Sequence, residues 1–213
     1  MIMPEHEANR LLTNAGVPVI RLAIVDNMAH AAQIAMEMSY PVALKFSSAA
    51  FVHKSEVGGV HLNLFTDADL GSAFGRLCDL REKLDPEAKI IMEPMLSGGA
   101  ELFIGFQRHS QFGPVLSAGL GGTLLELVDD VSFRLLPATK ADFHEMLDDL
   151  TSWPKLKKGF RNLPAVDEAQ VVSVMEKVAT FAISRQDLLE LDLNPVLVKP
   201  EGLIAVDARM VLS

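Results

Sequence analysis

Residues 189–209 constrain this chain most. Leu189, Leu191 and Leu193 alternate with Glu190, Asp192 and Asn194, so a strand with a period of two turns the leucines inward and the acids and amide to the opposite face. Lys199-Pro200-Glu201-Gly202 supplies turn chemistry, with Pro in the second position and Gly in the fourth. A hairpin symmetrical about Pro200-Glu201 sets Asn194 opposite Asp207 and Asp192 opposite Arg209, and opposed residues share a face. Asp207, Asn194 and Asp192 would then suit Mg²⁺, which keeps near-octahedral oxygen geometry and is commonly held by one or two carboxylates with substrate phosphates. The alternative is an exposed acidic strand in which Asp192 pairs with Arg209. A one-residue slip would turn the acids the other way, and Pro195 interrupts the ladder.

The 213 residues suffice for one large domain or two lobes sharing a core. A net charge of −9 argues against a nucleic-acid groove or an anionic membrane surface, so a bound polyanion should be small and metal-neutralised. Cys78 is the one cysteine, which excludes an internal disulfide framework and fits a reducing compartment. The N-terminus does not read as a signal peptide and no apolar run reaches membrane-spanning length, so a cytoplasmic location is expected. Apolar residues make up 49% of the chain and ten are Met, a surplus that suits a large partner interface.

Pro4 and the acids Glu5 and Glu7 open a helix that Gly16 closes. A strand over 17–25, a helix capped by Asp26, and a strand over 42–46 follow. Lys45 interrupts that apolar strand, so its ammonium must snorkel outward or meet an anion, either a phosphate or a structural carboxylate. In His53-Lys54-Ser55-Glu56-Val57-Gly58-Gly59, the paired glycines permit close backbone approach to a phosphate or an ordinary turn into the strand over 60–65. His53 is either a phosphoryl-accepting nucleophile or a surface imidazole. Asp67 caps the next helix. A strand over 89–92 runs into Glu93-Pro94-Met95 and the Gly98-Gly99 pair, a composition suited to a hinge. Glu93 and Glu101 can accept hydrogen bonds from an amino group and a ribose diol, or stand as solvated strand-end acids. Gly119-Leu120-Gly121-Gly122 precedes a strand through 128 rather than a helix, and is no Rossmann fingerprint. Arg134 would grip a phosphate or neutralise Asp129 and Asp130. Helices are expected over 141–150 and 167–184, joined by a basic connector around Trp153 and Lys157 that reads as an insertion or mobile loop.

Taken in order, these motifs resemble one family across essentially the whole chain: the ATP-grasp β subunit or domain of nucleoside-diphosphate-forming acyl-CoA synthetases, with a more distant similarity to the succinyl-CoA synthetase β subunit. The matching segments are those around Lys45, His53, Glu93, Glu101, Gly113, Gly119, Arg134, Asn194 and Asp207. The resemblance implies an α+β, ATP-grasp fold with two lobes, 1–95 and 96–213, clasping ATP or ADP. It implies Lys45 at the phosphates, Glu93 and Met95 at the hinge and adenine, Glu101 at the ribose, Gly58 and Gly59 beside phosphate, and Asn194 and Asp207 on Mg²⁺. His53 would carry the phosphoryl group, with Glu56 orienting it and Arg134 among the catalytic groups. The CoA-binding and ligase segments of such enzymes are missing from these residues, so the resemblance implies an α subunit or fused domains as partner. Two other readings are a direct ATP-grasp carboxylate ligase and a non-catalytic nucleotide-sensing subunit. Retention of Lys45, Glu93, Asn194 and Asp207 argues against the second of these.

Overall fold

Helix α1 (Glu5–Asn14) starts after Pro4, whose carbonyl accepts the N–H groups of Glu7 and Ala8, and ends before Gly16 at φ +75°. The computed structural model describes residues 1–51, 54–122, 130–161 and 163–213. These divide into two units, residues 1–9 with 20–97 and residues 10–19 with 98–213. The second unit thus includes 10–19, which the expected boundary near 95 assigned to the first.

In the first unit, β1 (Ala23–Ile24), β2 (Val42–Ser47), β3 (Val60–Leu64) and β4 (Lys89–Pro94) form an antiparallel sheet in the order β1-β4-β2-β3. Val42, Leu44, Phe46, Ile90 and Met92 join one core with residues of α2 (Met28–Met38) and α3 (Asp67–Leu84). Alternation therefore turns Ala43, Lys45, Ser47, Ile91 and Glu93 to the other face. Asn27, one residue beyond the expected Asp26, caps α2 by accepting the His30 N–H at 2.9 Å. Thr66 rather than Asp67 caps α3, completing a capping box with Asp69. The strand expected over 17–25 contracts to β1, because Pro18 has no N–H for a ladder. The Pro18 carbonyl and Val19 instead pair with Ala205, both within the second unit.

The second unit is built on a six-stranded antiparallel sheet: β5 (Ala100–His109), β6 (Gly113–Leu120), β7 (Val131–Leu135), β8 (Leu188–Lys199), β9 (Gly202–Ala205) and β10 (Ala208–Leu212). Its order is β10-β8-β5-β6-β7, with β9 also on β8. Helix α4 (Lys140–Asp148) and the long α6 (Glu168–Ser184) pack on one face. Val171, Met175, Val178 and Ala182 recur at helical spacing and are fully buried. The connector expected to be a mobile loop instead contains a short helix, α5 (Trp153–Lys158), anchored by a Trp153 side chain only 1% exposed. Its start is fixed by Asp130, whose carboxylate accepts the N–H groups of Thr151 and Ser152 at 2.8 and 2.9 Å. Burial pushes the Asp130 carboxyl up, but these bonds outweigh it and hold the group below the ordinary carboxylate range. Trp153 Nε1 donates to Glu168 at 3.2 Å, and Glu168 also receives His144 and Lys157. No helix among the described residues is long and apolar enough to cross a membrane.

Candidate functional site

The first unit meets the expected anion requirement of Lys45 with carboxylates. Lys45 lies on β2 between Val60 of β3 and Ile91 of β4, and is 6% exposed. Its Nζ is 2.6 Å from Glu93 Oε1 and 3.2 Å from Glu5 Oε1. The second Glu5 oxygen pairs with Lys54. Glu5 is seated by its neighbour: the His6 N–H and Nδ1 lie 3.3 and 2.9 Å from Ser47 Oγ, two residues beyond Lys45 on the same strand face. The described groups form a chain Glu93–Lys45–Glu5–Lys54 with almost no solvent to screen it. Removing one partner from such a buried set typically costs about 3–5 kcal/mol.

Glu93, which the resemblance places at the hinge beside an adenine, is thus engaged with Lys45. Met95 follows β4, and its N–H is taken by the Pro41 carbonyl at 2.9 Å. Gly58 and Gly59 realise the ordinary-turn alternative. Their N–H groups bond to the carbonyls of Ser55 and Lys54, and a Cβ on Gly59 would sit 2.9 Å from the Lys54 carbonyl oxygen. Both amides are thus satisfied within the turn. Glu56 is exposed, and His53 lies outside the described residues.

In the second unit the hairpin has the expected register. Arg209 opposes Asp192, Lys199 opposes Gly202, and the Asn194 N–H reaches the Asp207 carbonyl at 3.3 Å. Glu190, Asp192 and Asn194 occupy the face opposite the buried Leu191 and Leu193. The return strand is broken at Val206-Asp207 into β9 and β10, where Asn194-Pro195 adopts a cis peptide bond and the Val206 N–H reaches the Pro195 carbonyl. Asp192 follows the alternative reading: its Oδ2 is 3.3 Å from Arg209 Nη1, with Glu190 3.8 Å from the same guanidinium. Burial pushes the Asp192 carboxyl up, Arg209 pulls it down, and Glu190 raises it further, leaving it above the ordinary value.

The glycine run over 119–122 contributes to this site in a way its sequence did not disclose. A Cβ on Gly121 would lie 2.2 Å from the Leu102 carbonyl oxygen, and one on Gly119 would lie 2.3 Å from that of Asp130. These glycines let β6 close onto its neighbours and deliver the Gly122 N–H to Asn194 Oδ1 at 2.7 Å. Gly122 also lies against the Glu101 carboxylate, while the Glu101 carbonyl accepts the Gly121 N–H at 2.8 Å. Asn194, Asp207 and Glu101 therefore belong to one region of the second unit. Their hard oxygen donors, one carboxylate and one oriented amide at the hairpin, fit a Mg²⁺ ion that completes its shell with phosphate and water. Asp192 fits it less well, being paired with Arg209. Among the described residues there is no group of three or more His, Cys, Asp or Glu arranged as a closed metal site.

Arg134 takes Asp149 as its carboxylate partner in place of the expected Asp130. Its Nη2 is 2.7 Å from Asp149 at the end of α4 and its Nη1 donates to the Phe133 carbonyl, while Asp130 caps α5. Asp129 and the strand expected through 128 lie outside the described residues. The sequence reading missed Glu5 as a partner of Lys45, Lys54 as a partner of Glu5, and the Gly122 amide.

A family model described as an ATP-grasp domain matches residues 1–212. The chain is 35% identical over 211 residues to the acetate–CoA ligase (ADP-forming) I subunit beta of Pyrococcus furiosus, spanning 98% of this chain and 90% of that one. It is also 35% identical over 214 residues to acetate–CoA ligase (ADP-forming) II of Archaeoglobus fulgidus, where all of this chain corresponds to 31% of a longer protein. Among solved structures, it is similar to dinucleotide-forming acetyl-coenzyme A synthetase 1 of Ca. Korarchaeum cryptofilum in complex with coenzyme A and Mg-AMPPCP, with its phosphohistidine segment pointing towards the nucleotide binding site. That likeness has a TM-score of 0.84 at 32% identity, over 100% of this chain and 93% of that one.

Proposed function

Because the chain belongs to the ATP-grasp domain family, we propose that it is the nucleotide-binding, phosphoryl-transferring component of an ADP-forming acid–CoA ligase. The observation that carries this reading is the end-to-end correspondence with a separate β subunit, at 98% and 90% of the two lengths. A partner α subunit, or domains fused to this chain, supplies CoA binding and converts acyl-CoA and phosphate to acyl phosphate and CoA. The same region forming only 31% of a longer relative supports that division of labour. Exposed apolar side chains, among them Met36, Phe65, Phe112, Phe133 and Leu135, are surface that such a partner can cover.

In this reading the His53 imidazole takes the phosphoryl group from acyl phosphate, releasing the acid. The P–N bond then breaks as a β-phosphate oxygen of ADP forms the new P–O bond, giving ATP and free imidazole. Lys45 meets nucleotide phosphate as a point charge, and Glu101 accepts from the ribose hydroxyls. Asn194 and Asp207 hold Mg²⁺, which when bound neutralises phosphate charge and favours in-line transfer. The work is positioning and charge neutralisation, so few covalent groups are needed. A cytoplasmic location is part of the same proposal and rests on the lone Cys78.

The test is incubation with Mg²⁺ and γ-phosphate-labelled ATP, with and without a candidate α subunit. Acid-labile, base-stable label on the protein that is lost in His53→Asn is the expected result. Acyl-CoA-dependent ATP formation that persists in His53→Asn would overturn the phosphohistidine route.

A further inference from the structure

We propose that Glu5 is a positioning residue and an internal competitor for nucleotide phosphate, an inference that rests on Lys45 being the phosphate-binding lysine. The Glu5 carboxylate is divided between two ammoniums, with Oε1 on Lys45 at 3.2 Å and Oε2 on Lys54. Its side chain is 4% exposed, so little water is available to replace either lysine or to screen an anion arriving beside it. An ammonium has three donors, and carboxylates already occupy two of those on Lys45. Lys45 and Lys54 are matched by Glu5 and Glu93, so these four side chains present no net positive charge to an incoming polyphosphate.

A phosphate that binds Lys45 must therefore displace the Glu5 oxygen or accept a like charge at ion-pair range. Displacement is the less costly course, because Glu5 keeps Lys54 as a partner and is not left as an isolated buried charge. The His6 bonds to Ser47 hold the first turn of α1 on the strand, so yielding needs only a side-chain rotation at Glu5. In the free protein, Glu5 keeps the Lys45 ammonium in place on β2. When nucleotide binds, it moves wholly onto Lys54, the residue next to His53. Occupancy of the phosphate site is thereby linked to the strength of the Glu5–Lys54 pair.

The experiment is calorimetric titration of the full chain, wild type and Glu5→Gln, with Mg-ADP, with inorganic tripolyphosphate and with adenosine. Each variant is first checked for native folding by circular dichroism. Removing one competing anion at this range should tighten Mg-ADP and tripolyphosphate by about tenfold and leave adenosine unchanged. A purely structural role predicts the opposite sign, a weaker affinity on loss of Glu5. Lys54→Met should weaken Mg-ADP more in the wild type than in the Glu5→Gln background, because only in the wild type does it return Glu5 wholly to Lys45. Should Glu5→Gln fail to fold, Glu5→Asp, too short to span both lysines, is expected to tighten Mg-ADP by about two- to threefold. Unchanged or weaker binding in the folded variant, or equal Lys54→Met effects in both backgrounds, would overturn the inference. Wild-type protein that binds no Mg-ADP at all would instead remove the nucleotide reading on which it rests.

Discussion

Replacing Glu168 with Ala tests how the second unit holds its short helix. Glu168 opens α6 and accepts from Trp153 of α5, His144 of α4 and Lys157 of α5. The indole N–H is the costly member, since Trp153 is fully buried and Glu168 is its carboxylate acceptor. An unsatisfied buried donor costs about 1–3 kcal/mol, and about 2 kcal/mol is the expected loss. The His144 and Lys157 side chains are 43% and 53% exposed, so their pairs add only a screened increment. For a chain of this size, about 2 kcal/mol lowers Tm by about 4–8 °C. Trp153 is the one tryptophan in the sequence, so fluorescence-monitored urea unfolding reads its surroundings directly. Glu168→Gln keeps an oxygen acceptor for the indole and should lose less than half as much as Glu168→Ala. The pH dependence adds a second reading. Burial pushes the Glu168 carboxyl up, but hydrogen bonds from Lys157, His144 and Trp153 outweigh it and leave the folded value below 4.5. A depressed folded value gives stability that is present above the unfolded value and lost as pH falls through the folded one, and Glu168→Gln should lack that acid-side loss. Equal stabilities for wild type and Glu168→Ala, with unshifted Trp emission, would refute the reasoning.

Tyr40 is the one tyrosine, and burial together with its 2.6 Å hydrogen bond to Asp67 pushes its phenol up to about 12, so phenolate absorbance should titrate near that value rather than 10, and lower in Asp67→Asn. Because the folded value is raised, this contribution is complete below pH 10 and lost as pH rises through the folded value. Gly121→Ala drives a Cβ against the Leu102 carbonyl oxygen and should cost at least about 2 kcal/mol in urea unfolding. Gly105→Ala has side-chain atoms, the Phe103 ring edge and Ser117 Oγ, as its nearest contacts, which can rotate away, and should cost less; equal costs would contradict the contact geometry. Asp192→Asn should raise Tm at pH 7, because the raised folded value means ionised Asp192 opposes folding, with the gain vanishing in melts run well below pH 3.8.

The parts legible in the sequence were those governed by local periodicity and turn chemistry. The hairpin register followed from alternating leucines and one Pro-Glu turn, and it placed Asp192 against Arg209 and Asn194 beside Asp207. Caps erred by a single residue where two candidates stood side by side, as with Asp26 and Asn27. Trp153 was misjudged because its basic neighbours look solvated, while the burial that decides its place comes from distant helices. Glu5 read as an ordinary first-turn acid, and nothing within its own helix reveals a partner 40 residues away on β2. Adjacency in sequence points Arg134 to Asp130, whereas the fold gives Asp130 to the Thr151 and Ser152 amides and brings Asp149, 15 residues on, to the guanidinium.

The chain passes from one unit to the other three times, at 9/10, 19/20 and 97/98, instead of once. Neither unit is therefore an exchangeable cassette. A single genetic crossover near residue 97 would draw Pro18 and Ala205, joined carbonyl to N–H at 2.8 Å, from different parents, so segment 10–19 would have to pack on a sheet it did not evolve with. Recombination between homologous genes should be tolerated at the ends of this chain far more readily than at the 97/98 passage between its units.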